Sequence, residues 1–131
     1  MAAPDIKPVP PPWTLRGTVY TFPFWTNMSQ IAQANEAGIT YSPLEANSEF
    51  ANSAEAGAAH LGGLSMVQII RYSESPVGPY DELILIPGSH QYVVEENGKR
   101  VTKRHLRITR IYVSQKYTCW NGRKSGCRTE I

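Results

Sequence analysis

Cysteine and histidine are scarce in this 131-residue chain, at two and three copies. Cys119 and Cys127 are spaced C-x7-C, and no histidine pair stands beside them, so a zinc site is not expected. His60, His90 and His105 are scattered and match no cysteine at ligand spacing. There is no G-x-G-x-x-G, no Walker loop, no H-E-x-x-H and no nucleophile elbow. The motif-bearing nucleotide enzymes, zincins and α/β-hydrolases are thereby excluded. No repeat is present, and no cofactor is expected. The longest apolar stretch, Leu83-Ile84-Leu85-Ile86, has the length of a strand and is too short for a membrane-crossing helix. The first residues show neither a basic n-region nor an apolar h-region, so the expectation is a cytoplasmic chain with two reduced thiols.

Charged residues are few, at 18%, and unevenly spread. Residues 1–98 hold Lys7, Arg16 and Arg71 against ten acidic residues, a net −7. Residues 99–131 hold ten basic residues against Glu130, a net +9. Such asymmetry fits an anionic partner or two halves of one fold that neutralise each other. Aromatic content of 10% and 41% hydrophobic residues argue against disorder. The length fits one domain, able to bury roughly 68% of its unfolded surface.

Along the chain the dominant period is two. Residues 1–12 contain five prolines and read as a polyproline-like arm with no fold of its own. WTLRGTVYTFPFW (13–25) reads as a strand with a bulge at Gly17, and Pro23 makes its end an edge or a bend. Ser29 is placed to cap a helix over 30–37 that Gly38 ends, and 48–59 carries a second, weak helical signal. LSMVQIIRY suits a buried strand, SPVGP (75–79) a rigid turn, and YDELILI an alternating strand. In that strand Asp81, Leu83 and Leu85 share one side, and Glu82, Ile84 and Ile86 the other. QYVVEENGKRVTK reads as a hairpin with a type I′ turn at Asn97-Gly98. LRITRIYV (106–113) is a further strand, and Ser114 is placed to cap a helix ending at Lys124. The fold class is mainly β and antiparallel, with one or two short helices.

Two side chains stand out chemically. Glu82 sits among Leu83, Ile84 and Ile86, where desolvation would raise its pKa and suit it to acid-base or electrostatic work. The bland alternative is a strand-end glutamate facing water. Arg16 opens an apolar and aromatic strand, where its planar fork could hold a carboxylate. The bland alternative is an ordinary strand-end cation. KRVTKRHLRITR (99–110) is basic enough for nucleic acid, but its charges fall on both faces without interleaved aromatics. It reads instead as a solvated strand pair balancing the acidic first half, so neither a nucleic acid nor a membrane is expected as a partner.

Residues 71–88, R-Y-S-E-S-P-V-G-P-Y-D-E-L-I-L-I-P-G, form the most specific pattern. They resemble the signature of the acetoacetate decarboxylase superfamily, in which an S-P-V-G-P-Y turn leads into a strand with a functional glutamate. PPWTLRGTVYTFPFW (11–25) resembles that family's opening strand with its pocket arginine. ITRIYVSQKYTCWNGRK (108–124) resembles the strand and helix that precede its reactive lysine. Residues 60–88 look most like uncharacterised fungal members. The resemblance spans about 11–124 and implies a partial antiparallel β-barrel or sheet. It places Glu82 on the functional glutamate and Arg16 on the pocket arginine. It implies a small keto-acid ligand and, in the family, decarboxylation through a lysine Schiff base whose amine is kept neutral by desolvation and a nearby cation.

This chain departs from the family after Lys124. SGCRTEI follows where a P-K-[K/H]-L segment with the nucleophilic lysine is expected, so 125–131 reads as an atypical tail and the Schiff-base lysine as absent. The expectation is a keto-acid-binding protein without decarboxylase activity. One alternative is an active carboxy-lyase using Lys116 or Lys124. Another is an interaction module using the proline-rich arm or the basic C-terminal third. A partial barrel would leave open edges and an uncovered apolar face, which favour self-association or a partner chain that completes the sheet.

Overall fold

A computed structural model describes residues 5–47 and 58–124. The order is β1 (Arg16–Thr26), α1 (Met28–Glu36), β2 (Ala59–Glu74), β3 (Tyr80–Ile86), β4 (Ser89–Glu96), β5 (Lys99–Leu106), β6 (Arg110–Val113) and α2 (Lys116–Lys124). All pairings are antiparallel, and the fold is mainly β, as the alternation predicts. The weak helical signal at 48–59 falls almost entirely outside the described residues, as does the tail at 125–131.

The hairpin built on Asn97-Gly98 is longer than its turn alone implies. Both turn residues have positive φ, 52° and 74°, as a type I′ turn requires. One register runs from Glu96↔Lys99 through Ser89↔Leu106 and Leu85↔Arg110 to Glu82↔Val113. Residues 80–113 are therefore a single hairpin, bent at Pro87–Gly88 on one strand and at 107–109 on the other. The strand expected over 106–113 is split by that bend. Leu106 ends β5, the amide of Arg107 donates to the Gly88 carbonyl, and β6 starts at Arg110.

β2 runs beside this hairpin and bends at the same level. Between Met66↔Ile86 and His60↔His90 it advances six residues while its partner advances four. Gly62 and Gly63, at φ 64° and 87°, take up the surplus. A crease thus crosses the sheet. On its far side, β2 meets β4 through only three residue pairs.

β1 lies along β2 from Gly17↔Tyr72 to Thr26↔Gly63, with the expected irregularity at Arg16/Gly17. A Cβ on Gly17 would meet the Arg71 carbonyl oxygen at 2.4 Å, so the close approach requires glycine there. Among the described residues β1 pairs with no other strand, and the barrel is not closed.

The helices differ in detail from expectation. The cap of α1 is Asn27, and Ser29 lies within the helix. Asn27 Oδ1 accepts from the Gln30 amide while Gln30 Oε1 accepts from the Asn27 amide, each at 2.9 Å, a reciprocal capping box. Ser114 does not cap α2. It pairs with Asp81 through its own amide and its hydroxyl, and Gln115 Oε1 accepts from the Thr118 amide instead.

The core lies on one face of the sheet. Ile70, Ile84 and Ile86 form one cluster, joined by Met66 and Tyr72. Tyr80, Val113 and Cys119 of α2 form a second. The arm packs against α2, with no regular structure of its own. Ile6 is buried, and the Val9 amide donates to Asn121 Oδ1 at 2.7 Å. Among the described residues, no helix is long and apolar enough to cross a membrane.

Candidate functional site

β3 is an interior strand, flanked by β2 and β6, and this position determines the environment of Glu82. Its cross-strand neighbours are Ile70 and Val113, both buried. Its neighbours along the same face of β3 are Tyr80 and Ile84, also buried. The carboxyl makes no hydrogen bond or ion pair with a described residue. Burial alone holds its pKa above the usual carboxylate value.

Tyr72 and Tyr80 complete the setting, with ring centroids 4.7 Å apart. Burial, and secondarily the Glu82 charge, raises the pKa of both phenols. The group is a half-buried carboxyl beside two firmly neutral phenols. Asp81, one residue earlier, points to the opposite face and pairs with Arg71 at 3.1 Å. The water-facing alternative fits Asp81 and does not fit Glu82.

Arg16 is not brought to this group. Its guanidinium donates to Glu74 at 3.5 Å, with 77% of the side chain exposed. It stands two strands away from Glu82, a lateral separation of roughly 10 Å. Lys116 and Lys124 are exposed on α2, their ammonium groups 5.3 Å and 5.4 Å from the rings of Tyr117 and Trp120. A groove of about 310 Å³ lies elsewhere, between the arm and α2, lined by Pro8, Val9, Pro10, Pro11, Trp120, Asn121 and Lys124.

Much of the basic third is engaged within the fold. Lys103 pairs with Glu96, Arg104 donates to Gln91, and Arg107 pairs with Glu45 at 3.5 Å. Arg110 donates to the carbonyls of Ile39 and Tyr41, fastening the segment after α1 to the sheet.

The sequence reading missed a second group. The three scattered histidines form one cross-strand row, His60↔His90↔His105. The His60 and His90 rings are stacked, with centroids 4.1 Å apart and planes 12° from parallel. His60 Nε2 donates to the Pro87 carbonyl at 2.7 Å. Neither nitrogen of His90 meets a partner in good hydrogen-bond geometry among the described residues, although the residue is only 7% exposed and the Gly88 backbone lies close enough to oppose the lowering of its pKa. Burial, then His60, then Arg107 lower its pKa to about 4. The two-residue turn already places His90 opposite His105, so that half of the row could be counted off from Asn97-Gly98. Among the described residues, no three His, Cys, Asp or Glu side chains are grouped to hold a metal. Comparison with known proteins returns no matching family model, no matching curated protein and no matching solved structure.

Proposed function

We propose that this chain is an acetoacetate decarboxylase-like scaffold that binds a small oxo acid against Glu82, Tyr72 and Tyr80, without cleaving it. The observation that carries this reading is the desolvated carboxyl of Glu82 among Ile70, Val113 and Ile84, without a hydrogen-bond partner among the described residues. Desolvation favours its protonated form, which can donate to an oxo or carboxylate oxygen. The two neutral phenols offer further donors, and the aliphatic surround suits a short carbon skeleton. The S-P-V-G-P-Y turn ahead of β3 supports the same reading. The Gly78 amide donates to the Ser75 carbonyl at 3.1 Å, and the Ser75 hydroxyl donates to the Gly78 carbonyl. Arg16, paired with Glu74 on the surface, has no role in this binding.

The groups that carry this reading, Glu82, Tyr72 and Tyr80, can bind and orient an oxo acid, and the reading assigns them no carbon–carbon cleavage. The test is acetoacetate titration followed by NMR, with borohydride trapping and intact-mass measurement in parallel. Shifts are expected at Tyr72, Tyr80 and Glu82, weakened at least about tenfold in Glu82→Ala. The mass is expected to stay unchanged. The absence of shifts at millimolar ligand would refute the site. A borohydride-stable adduct on Lys116 or Lys124 would replace this reading with that of an active Schiff-base enzyme.

A further inference from the structure

Among the described residues, the face of the sheet opposite Glu82 is apolar and largely uncovered. Register places Tyr20, Ile69, Leu83 and Tyr112 in one row across β1, β2, β3 and β6. Phe22, Val67 and Leu85 form the next row, and Phe24 continues the strip on β1. Tyr20 is 53% exposed, Phe22 54%, Phe24 41%, Ile69 41% and Leu83 39%. These five positions carry no charge. One end of the strip is closed by the Arg71–Asp81 ion pair, and one corner by Arg110 under Ile39 and Tyr41. A charge-free centre with a polar rim has the anatomy of an interface.

We infer that a second copy of this chain covers this face, and that the two sheets stack into a two-layer sandwich. Two arguments favour this occupant. The first is area. With an aromatic side chain worth roughly 200 Å², the five exposed side chains leave about 400 Å² in water on each copy. Stacking two copies therefore removes about 800 Å² from these side chains alone, and Val67, Leu85 and the rim bring the total to the roughly 1,000 Å² that a specific interface needs. The second is self-complementarity. The strip has an aromatic margin on β1 and an aliphatic middle on β2 and β3. A two-fold axis along β2 lays the β1 aromatics of each copy over Leu83 of the other. The contact is isologous and closes at two copies. Sheets stacked this way sit about 10 Å apart, and their strands cross near −30°.

This inference uses the face opposite Glu82, so it stands or falls independently of the proposed ligand. The experiment is sedimentation velocity on the full chain over a range of micromolar concentrations. Phe22→Lys and Ile69→Lys are run beside it, with circular dichroism as a check on the fold. Both positions are exposed, so the monomer should tolerate either change. The expected wild-type species at high concentration has twice the 14.6 kDa chain mass. Each lysine variant should stay folded and dissociate at least about tenfold more readily. If one variant unfolds, the other decides. Glu82→Gln should leave the dimer intact. A wild type that stays monomeric overturns the inference, whether or not it pellets with neutral lipid vesicles. So does a dimer that persists in a folded lysine variant. Polydisperse growth without a dimer plateau also overturns it, because it indicates pairing through the open β1 edge.

Discussion

His60 and His90 lie ring on ring in the middle of the three-pair ladder that joins β2 to β4. The rings tolerate each other because His90 is neutral, its pKa lowered to about 4 by burial, the neighbouring His60 and Arg107. An unfolded histidine titrates near 6.5, so below that pH the unfolded chain binds the extra proton. Stability attributable to His90 is therefore complete above about pH 6.5 and is lost as pH falls toward 4. The loss amounts to as much as about 3 kcal/mol. Urea unfolding at several pH values should show this slope in the wild type and not in His90→Leu. An equal slope in both would place the proton uptake elsewhere.

Glu82 acts in the opposite direction. Its carboxyl is raised by burial, so the folded state binds the proton more readily than the unfolded state. Its contribution is favourable at low pH and is lost as pH rises through the folded pKa. Glu82→Gln keeps the shape and removes the charge. It should stabilise the protein at neutral pH by about 1 kcal/mol, with little effect in acid. Denaturant midpoints at both pH values, compared with the wild type, measure this. A destabilised Glu82→Gln at neutral pH would mean that the carboxylate has a partner.

Local chemistry that sets local geometry was legible in the sequence. The Asn97-Gly98 turn, the bulge at Gly17, the edge character marked by Pro23 and the burial side of Glu82 all follow from a few adjacent residues. Gly38, at φ 67°, stands just past α1 as a helix-ending glycine should. Features set by the crease were not legible. The alternation in LRITRIYV continues through 107–109, so the pattern cannot show that the chain bends there. His60 reaches His90 only because Gly62 and Gly63 absorb two residues, a count visible only once β2 is paired. Arg16 read as a pocket cation because its neighbours are apolar, but β1 is exposed on both faces and Glu74 lies opposite.

The crease gives a steric prediction. Gly88 has φ 101°, and a Cβ there would lie 2.3 Å from the Gly62 carbonyl oxygen and 2.7 Å from the Gly62 Cα. Backbone atoms cannot give way as a flexible side chain does. Gly88→Ala should therefore cost at least about 3 kcal/mol, combining a strained φ with a backbone clash. Gly98→Ala provides the control. Its φ is also positive, at 74°, but open space surrounds it, so its cost should be nearer about 1 kcal/mol. Thermal unfolding of the two variants compares them directly. Equal losses would show that the clash is relieved by movement of β2.

The arm supplies the last prediction. Its prolines cannot donate backbone hydrogen bonds, so the few amides that remain anchor it. The Val9 amide is one, and it reaches Asn121 Oδ1 at 2.7 Å. Asn121 is itself buried, and its amide group donates to the Tyr117 carbonyl, which fixes the orientation of the acceptor. The Val9 carbonyl in turn accepts from Trp13 Nε1 at 2.9 Å, tying the arm to the residues just ahead of β1. Asn121→Ala removes the acceptor and leaves the Val9 amide without a partner in a partly buried place. The expected cost is about 1–3 kcal/mol if the amide stays buried. If the arm lifts away instead, global stability changes little, and Val9 exchange and Ile6 exposure rise together. Hydrogen exchange at Val9, read beside a denaturant titration, distinguishes the two. Either result confirms the anchor, whereas unchanged exchange and unchanged stability would show that the arm is held by Ile6 alone.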